Sequence, residues 1–266
     1  MIPSLSFRRV AFLAAGLAAL FSCGPTQEVT GAEDGDEAAS VTSNESALTS
    51  ELSDEATQPM SASAADLAAS AGDRVATHLA PAGCFTKTVS GATVTFVLTD
   101  CTGPYGLVHL TGTLTAVYAR DPAGGVDVTI TGSGVKANGA VLDLNATVVA
   151  TQTNGVRNAT VTTHATGTGA RGFALTREGT YDLSYDPTAE CLTLDGSWTT
   201  TVGLKTASTT IANYTRCKGT CPAAGGSLVH TTRAGAAVTV TYDGSANAAW
   251  ASSNGKSGTL ALTCSK

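Results

Sequence analysis

The pattern of hydrophobic positions along this chain changes three times, and each change marks a different element. Val10 to Leu20 is an unbroken apolar run of 11 residues. Gly24 to Gln58 carries almost no apolar pattern. From Ser63 to Ala80 the spacing is helical, with Leu67, Ala71, Val75 and Leu79 recurring every fourth residue on one face. Ser63, with Asp66 three residues on, supplies an N-cap, Pro81 a stop, and Gly72 weakens the interior. This is the only helix that the pattern predicts in the folded part.

From Thr86 onward the period becomes two. Val94, Phe96 and Leu98 alternate with Thr95, Val97 and Thr99, and Val108, Leu110, Gly112, Leu114, Ala116 and Tyr118 alternate mostly with Thr. The same pattern returns at Val126–Val128–Ile130, Leu142–Leu144–Ala146–Val148, Tyr181–Leu183–Tyr185 and Leu192–Leu194–Gly196–Trp198. Val238, Val240 and Tyr242, then Leu260 and Leu262, close the series. Thr and Val suit a pleated, half-buried surface. Turn signals separate the runs, among them Asp121-Pro122-Ala123-Gly124-Gly125, Asn138-Gly139, Asn154-Gly155 and Asn254-Gly255. The expected fold class is mainly β: an antiparallel meander of about 10–12 strands, a curled sheet or barrel, with one N-terminal helix on part of its apolar face. Small inward residues (Gly112, Ala116, Gly132, Ala146, Gly196) predict a tight interior. Aromatic residues make up only 5% of the chain, too few for the two girdles of an outer-membrane barrel.

The N-terminal run reads as an export signal. Arg8 and Arg9 precede it, and a helix of its length rises only about 16–20 Å against a membrane core of roughly 30 Å. Cleavage fits better than retention. Leu20-Phe21-Ser22-Cys23 resembles the lipobox of bacterial lipoproteins, with an aliphatic residue at −3, a small one at −1 and Cys at +1. Phe21 at −2 is bulkier than usual. The resemblance implies a type II signal peptide, cleavage before Cys23, a diacylglyceryl thioether on its sulfur and, often, acylation of the freed amine. Two or more chains make attachment stable where one is marginal. Gly24 stands where Asp would retain a lipoprotein at the inner membrane, so the expected location is the outer membrane, periplasmic or surface-exposed.

Between Gly24 and Gln58 lie nine acidic residues (Glu28, Glu33, Asp34, Asp36, Glu37, Glu45, Glu51, Asp54, Glu55) and no Lys or Arg. Like charge with low hydrophobicity predicts a disordered tether with a coil span of roughly 30–35 Å. Asp34-Gly35-Asp36 lacks the rest of a calcium loop. The expected organisation is thus a cleaved signal at 1–22, a lipidated Cys23 with an acidic linker over 23–60, and a helix-plus-β domain over 61–266. The tether accounts for the net charge of −6, because residues 59–266 hold 12 acidic and 13 basic side chains. No basic stripe suggests nucleic acid. The expected partner is a membrane, through the lipid anchor, and no cofactor is implied.

With Cys23 committed to lipid, six cysteines remain: Cys84, Cys101, Cys191, Cys217, Cys221 and Cys264. An even number in an oxidising compartment predicts disulfides, with fifteen pairings possible. Cys84–Cys101 closes one hairpin. Cys191–Cys217 follows if Trp198 and Ile211 lie on one hairpin turning near Leu204, which leaves Cys221–Cys264. Cys217-Lys218-Gly219-Thr220-Cys221 is the competing local pair, with three residues between the thiols where a thioredoxin-like motif has two.

Catalytic constellations are scarce. His78, His109, His164 and His230 form no H-x-x-x-H or H-E-x-x-H spacing, and no G-x-S-x-G elbow occurs. His109, His164 and His230 would bind a metal only if they converged in a lumen; exposed strand positions are expected instead. Asp182, Asp186, Glu190 and Asp195 surround Pro187 and read as a solvated turn rather than a calcium loop. Gly167 to Gly172 matches a phosphate loop only in composition. Trp198, Trp250, Tyr105, Tyr181, Tyr185, Tyr214 and Tyr242 suit a core more than a ligand pocket. The Asn-x-Thr triplets at Asn145, Asn158 and Asn213 imply nothing in a bacterial chain.

Lipobox, acidic spacer and Thr/Gly-rich β domain together resemble the uncharacterised secreted lipoproteins of high-GC Gram-negative bacteria. The functional expectation is a membrane-anchored lipoprotein with a structural or binding β domain, not an enzyme and without metal. The alternatives are a half-open barrel carrying hydrophobic ligands and, further off, a hydrolase.

Overall fold

The computed structural model describes residues 61–75, 79–102, 109–137 and 139–262. Cys23, the lipobox, the acidic linker, His78, Tyr105 and Cys264 lie outside the described residues. Among the described residues one helix, α1 (Ala64–Val75), precedes thirteen strands: β1 (Phe85–Ser90), β2 (Thr93–Thr102), β3 (His109–Arg120), β4 (Val126–Ala137), β5 (Ala140–Thr153), β6 (Val156–Thr168), β7 (Ala174–Asp186), β8 (Cys191–Val202), β9 (Lys205–Cys217), β10 (Ser227–Thr231), β11 (Ala237–Tyr242), β12 (Asn247–Ser252) and β13 (Ser257–Ala261). Each strand pairs antiparallel with its sequence neighbours, giving one curled, open sheet with β1 and β13 at its edges. The count exceeds the expected ten to twelve because β6, β10 and β12 carry weak alternation: inward Ala159, Thr163 and Gly167 on β6 give little apolar signal.

The helix starts as expected. Ser63 Oγ accepts the Asp66 N–H at 3.1 Å and donates to Asp66 Oδ2 at 2.6 Å. It ends earlier than Ala80, which instead pairs with Thr102 in an isolated bridge. Pro81 explains this, since the residue before proline is driven to extended backbone. Leu67, Ala68 and Ala71 are buried, and Lys87, inward on β1, donates to the Ala69 carbonyl at 2.8 Å. The helix therefore covers the inner face at the β1–β3 side of the sheet.

Alternation is clearest in β5, where Ala140, Leu142, Leu144, Ala146, Val148 and Ala150 are buried and the intervening residues exposed. The buried parity of the other strands joins the same core. The interior is tight at the glycines: a Cβ on Gly132 would lie 2.5 Å from Leu114 Cδ2, and one on Gly196 2.6 Å from the Thr180 carbonyl oxygen.

Three bulges keep this parity where a strand carries an extra residue. Leu98 and Cys101, Gly132 and Val135, and Ile211 and Tyr214 all point inward although each pair is three apart. Each bulge contains a left-handed residue, Asp100 (φ 52), Gly134 (φ 62) or Asn213 (φ 53). Its amide, lost to the ladder, finds a side-chain oxygen on the next strand: Thr111 Oγ1 at 3.1 Å, Asp143 Oδ1 at 2.8 Å and Asp195 Oδ1 at 2.7 Å respectively.

Disulfides join Cys84 to Cys101 and Cys191 to Cys217, as expected from sequence. The second links directly opposed residues of β8 and β9, whose hairpin turns at Gly203-Leu204. Cys221 is disulfide-bonded too; its expected partner, Cys264, lies outside the described residues.

Candidate functional site

The mostly apolar inner face carries a polar patch, built where facing positions of β6 to β12 bring inward polar residues into a row. Thr163 on β6 opposes Gly179 on β7, which opposes Trp198 on β8, then Thr209 on β9, His230 on β10, Val238 on β11 and Ser252 on β12. The adjoining row runs Ala165, Arg177, Thr200, Ala207. Thr163, Arg177, Thr209 and Ser252 are the buried polar side chains of the described residues.

Arg177 is the centre of this patch. It is only 3% exposed. Its Nη1 donates to Thr200 Oγ1 at 2.9 Å, and the guanidinium lies 5.5 Å from the centroid of the Trp198 ring. Trp198 in turn packs against Tyr181 at 5.4 Å. The absence of a side chain at Gly179 lets Trp198 approach; a Cβ there would meet the Trp198 Cβ at 2.7 Å. Arg177 Nε is enclosed and makes no hydrogen bond among the described residues, and no carboxylate described lies within ion-pair distance. A guanidinium edge facing an apolar interior is a donor for a carboxylate or phosphate oxygen. Beside it, Thr209 Oγ1 and His230 Nδ1 lie 2.8 Å apart.

A second inward arginine sits at the far end of the same strands. Arg157 opposes Tyr185, and its Nε and Nη1 are enclosed without a hydrogen-bond partner. Burial pushes its guanidinium below the usual arginine value, with Tyr185 acting in the opposite sense.

The three expected strand histidines do not converge. His109 and His164 point outward, each against an acid: His109 Nδ1 is 2.9 Å from Asp100, and His164 Nδ1 is 3.3 Å from Glu178. Only His230 faces inward. No group of three or more metal-ligating side chains occurs among the described residues.

The four acids around Pro187 also stay apart, each with its own partner. Asp182 accepts from Thr160, Asp186 from the Thr188 and Ala189 amides, and Asp195 from Asn213, while Glu190 pairs with Lys218. Gly169 to Phe173 is the β6–β7 turn, with Gly169 N–H bonded to the Phe173 carbonyl at 2.8 Å. Tyr181, Tyr185, Trp198, Tyr214 and Tyr242 are core residues; Trp250 is half-buried.

Arg177 and Thr209 were not singled out from sequence. A signal for Arg177 existed: it occupies the apolar parity of Leu175, Gly179, Tyr181 and Leu183. A charge on the buried parity of a strand asks for an explanation that a charge on the exposed parity does not. Comparison with protein-family models, curated proteins and solved structures yields no match. The site is therefore read from its geometry.

Proposed function

We propose that the chain is a lipid-anchored extracytoplasmic protein whose β domain has a structural or binding role. The observation that carries this reading is the division between the two faces of the sheet. The inner face is enclosed over most strands, β5 being at most 5% exposed from Ala140 to Ala150 on that side, while the outer face presents rows of Thr, Asn, His and acidic side chains to solvent. The attachment chemistry belongs to Cys23, at the end of a short apolar run. The test is Cys23→Ser. Wild-type protein is expected in the outer-membrane fraction with added acyl mass on its N-terminal peptide, and the variant without it. Unchanged fractionation and mass in the variant would sink the proposal.

One observation favours the carrier as a second reading. Arg177 places an incompletely bonded guanidinium edge in an apolar interior, where the head of a carboxylate-bearing amphiphile would be held. Extraction of purified protein with organic solvent, compared between wild type and Arg177→Met, tests it; the same lipid content in both counts against this reading. A hydrolase would have to use the Thr209–His230 pair, but Thr209 is 2% exposed, so a substrate carbonyl reaches its hydroxyl only if the sheet opens.

A further inference from the structure

Basic residues without partners are not spread evenly over this domain. Because the sheet is a simple meander, the β4–β5, β6–β7, β8–β9, β10–β11 and β12–β13 turns all lie at one end. Beside or within these turns stand Lys136, Arg171, Lys205, Arg233 and Lys256, one for each hairpin. All five make no hydrogen bond, ion pair or ring contact among the described residues, and four are exposed, with Arg233 half-buried. The five turns contain no Asp or Glu.

The opposite end differs in both respects. Its turns carry Asp121, Asp186, Glu190 and Asp243. Three of its cations are engaged, Lys218 with Glu190, Arg120 with the Gly124 carbonyl and Arg216 with the Thr220 carbonyl, and a fourth, Arg157, is turned inward with its Nε and Nη1 enclosed.

The basic end also bears the two most exposed large apolar side chains of the described residues. Phe173, in the β6–β7 turn, is 57% exposed, and Leu204, at the tip of the β8–β9 turn, is 103% exposed. They are neighbours: Gly203 N–H donates to the Ala174 carbonyl at 2.9 Å, and a Cβ on Gly203 would lie 3.7 Å from the Phe173 ring. Arg171 and Lys205 flank them in sequence. Hairpins two strands apart are spaced about 10 Å, so the cations form a rim with a paired apolar tip near its middle.

We propose that this end of the sheet docks on a bilayer carrying anionic headgroups, with Phe173 and Leu204 entering the interface and the five cations meeting lipid phosphates. Charge complementarity and the apolar tip select lipid over a soluble polyanion, which would have no use for Phe173 and Leu204. The setting rests on the proposed lipid anchor, since a domain tethered at Cys23 already lies within a linker's length of a membrane. A surface bound in this way turns a swinging tether into an oriented domain. Each cation near an anionic surface contributes about fivefold to partitioning, and the attraction weakens with salt.

The test uses the mature chain from residue 24, exported behind a signal that is cleaved without lipidation, so that its result is independent of acylation at Cys23. Sedimentation is measured with vesicles of phosphatidylcholine alone and with an equal part of phosphatidylglycerol. Binding is expected to the anionic vesicles only and to fall with added salt. Arg171→Gln, Lys205→Gln and Lys256→Gln together are expected to weaken it about a hundredfold (about fivefold per cation). Phe173→Ser with Leu204→Ser is expected to weaken it without changing its salt dependence. Lys218→Gln at the opposite end is the control and leaves binding unchanged. Equal binding to both vesicles, no binding at low salt (as when the acidic linker occupies the rim), or indifference to the triple substitution would each overturn the proposal.

Discussion

Asp195 on β8 reaches across to β9, where its Oδ1 accepts the backbone N–H of Asn213 at 2.7 Å. Asn213 is the left-handed residue of a bulge, so its amide has no place in the ladder. The carboxylate restores the lost bond and holds Ile211 and Tyr214 on the same inward face. Asp195→Ala should destabilise the domain by about 1.5 kcal/mol, the low end of the range for a hydrogen bond to a charged group, because this bond is exposed. Urea unfolding followed by far-UV circular dichroism checks this, and a loss of less than a few tenths would show that the bulge holds without it.

The same device gives a pH dependence at the β4 bulge. The Ser133 hydroxyl, at 2.7 Å, and the Gly134 amide, at 2.8 Å, both bond to Asp143 Oδ1 and hold its carboxyl below the usual carboxylate value. A depressed folded-state pKa stabilises the fold above the unfolded value of about 3.9, and the contribution is lost as pH falls through the folded value. Wild type should therefore lose more stability than Asp143→Asn between neutral pH and the acid side of that range. Parallel denaturation curves for the two proteins across the pH series would refute it.

Gly179 is required by Trp198. A methyl at this position would lie 2.7 Å from the Trp198 Cβ and 3.2 Å from the Ser197 carbonyl oxygen, both held by the β8 backbone. Gly179→Ala should cost about 1–3 kcal/mol as overpacking and shift tryptophan emission, because Trp198 must move from its place against Tyr181. An unchanged spectrum and unfolding midpoint would show that the sheet absorbs the methyl freely.

The Cys84–Cys101 bond closes a loop with a sequence separation of 17. Replacing both by Ala should cost about 3 kcal/mol through the entropy returned to the unfolded chain. The α1 side of the core should suffer most, since Cys84 and Cys101 are buried in it with Leu67 and Ala71. Hydrogen exchange on the double variant would locate the loss; uniform protection across β1–β13 would argue against a local role.

Sequence by itself determined the fold class, the helix of the described residues with its Ser63–Asp66 cap and the inward parity of β5, and it favoured the Cys84–Cys101 and Cys191–Cys217 pairings among the fifteen possible. These depend on neighbours in sequence: period, turn residues and hairpin register are all short-range. The bulges at Asp100, Gly134 and Asn213 were not legible, because each replaces a step of two by a step of three, which reads as noise until the adjacent strand shows both residues pointing inward. Arg177 was half-legible, as a charge on a buried parity; its stacking on Trp198 and bond to Thr200 needed β7 and β8 in register. The basic rim was least visible. Lys136, Arg171, Lys205, Arg233 and Lys256 span 121 positions in a domain of near-neutral charge, and only a meander, which sends every second turn to the same end, brings them together.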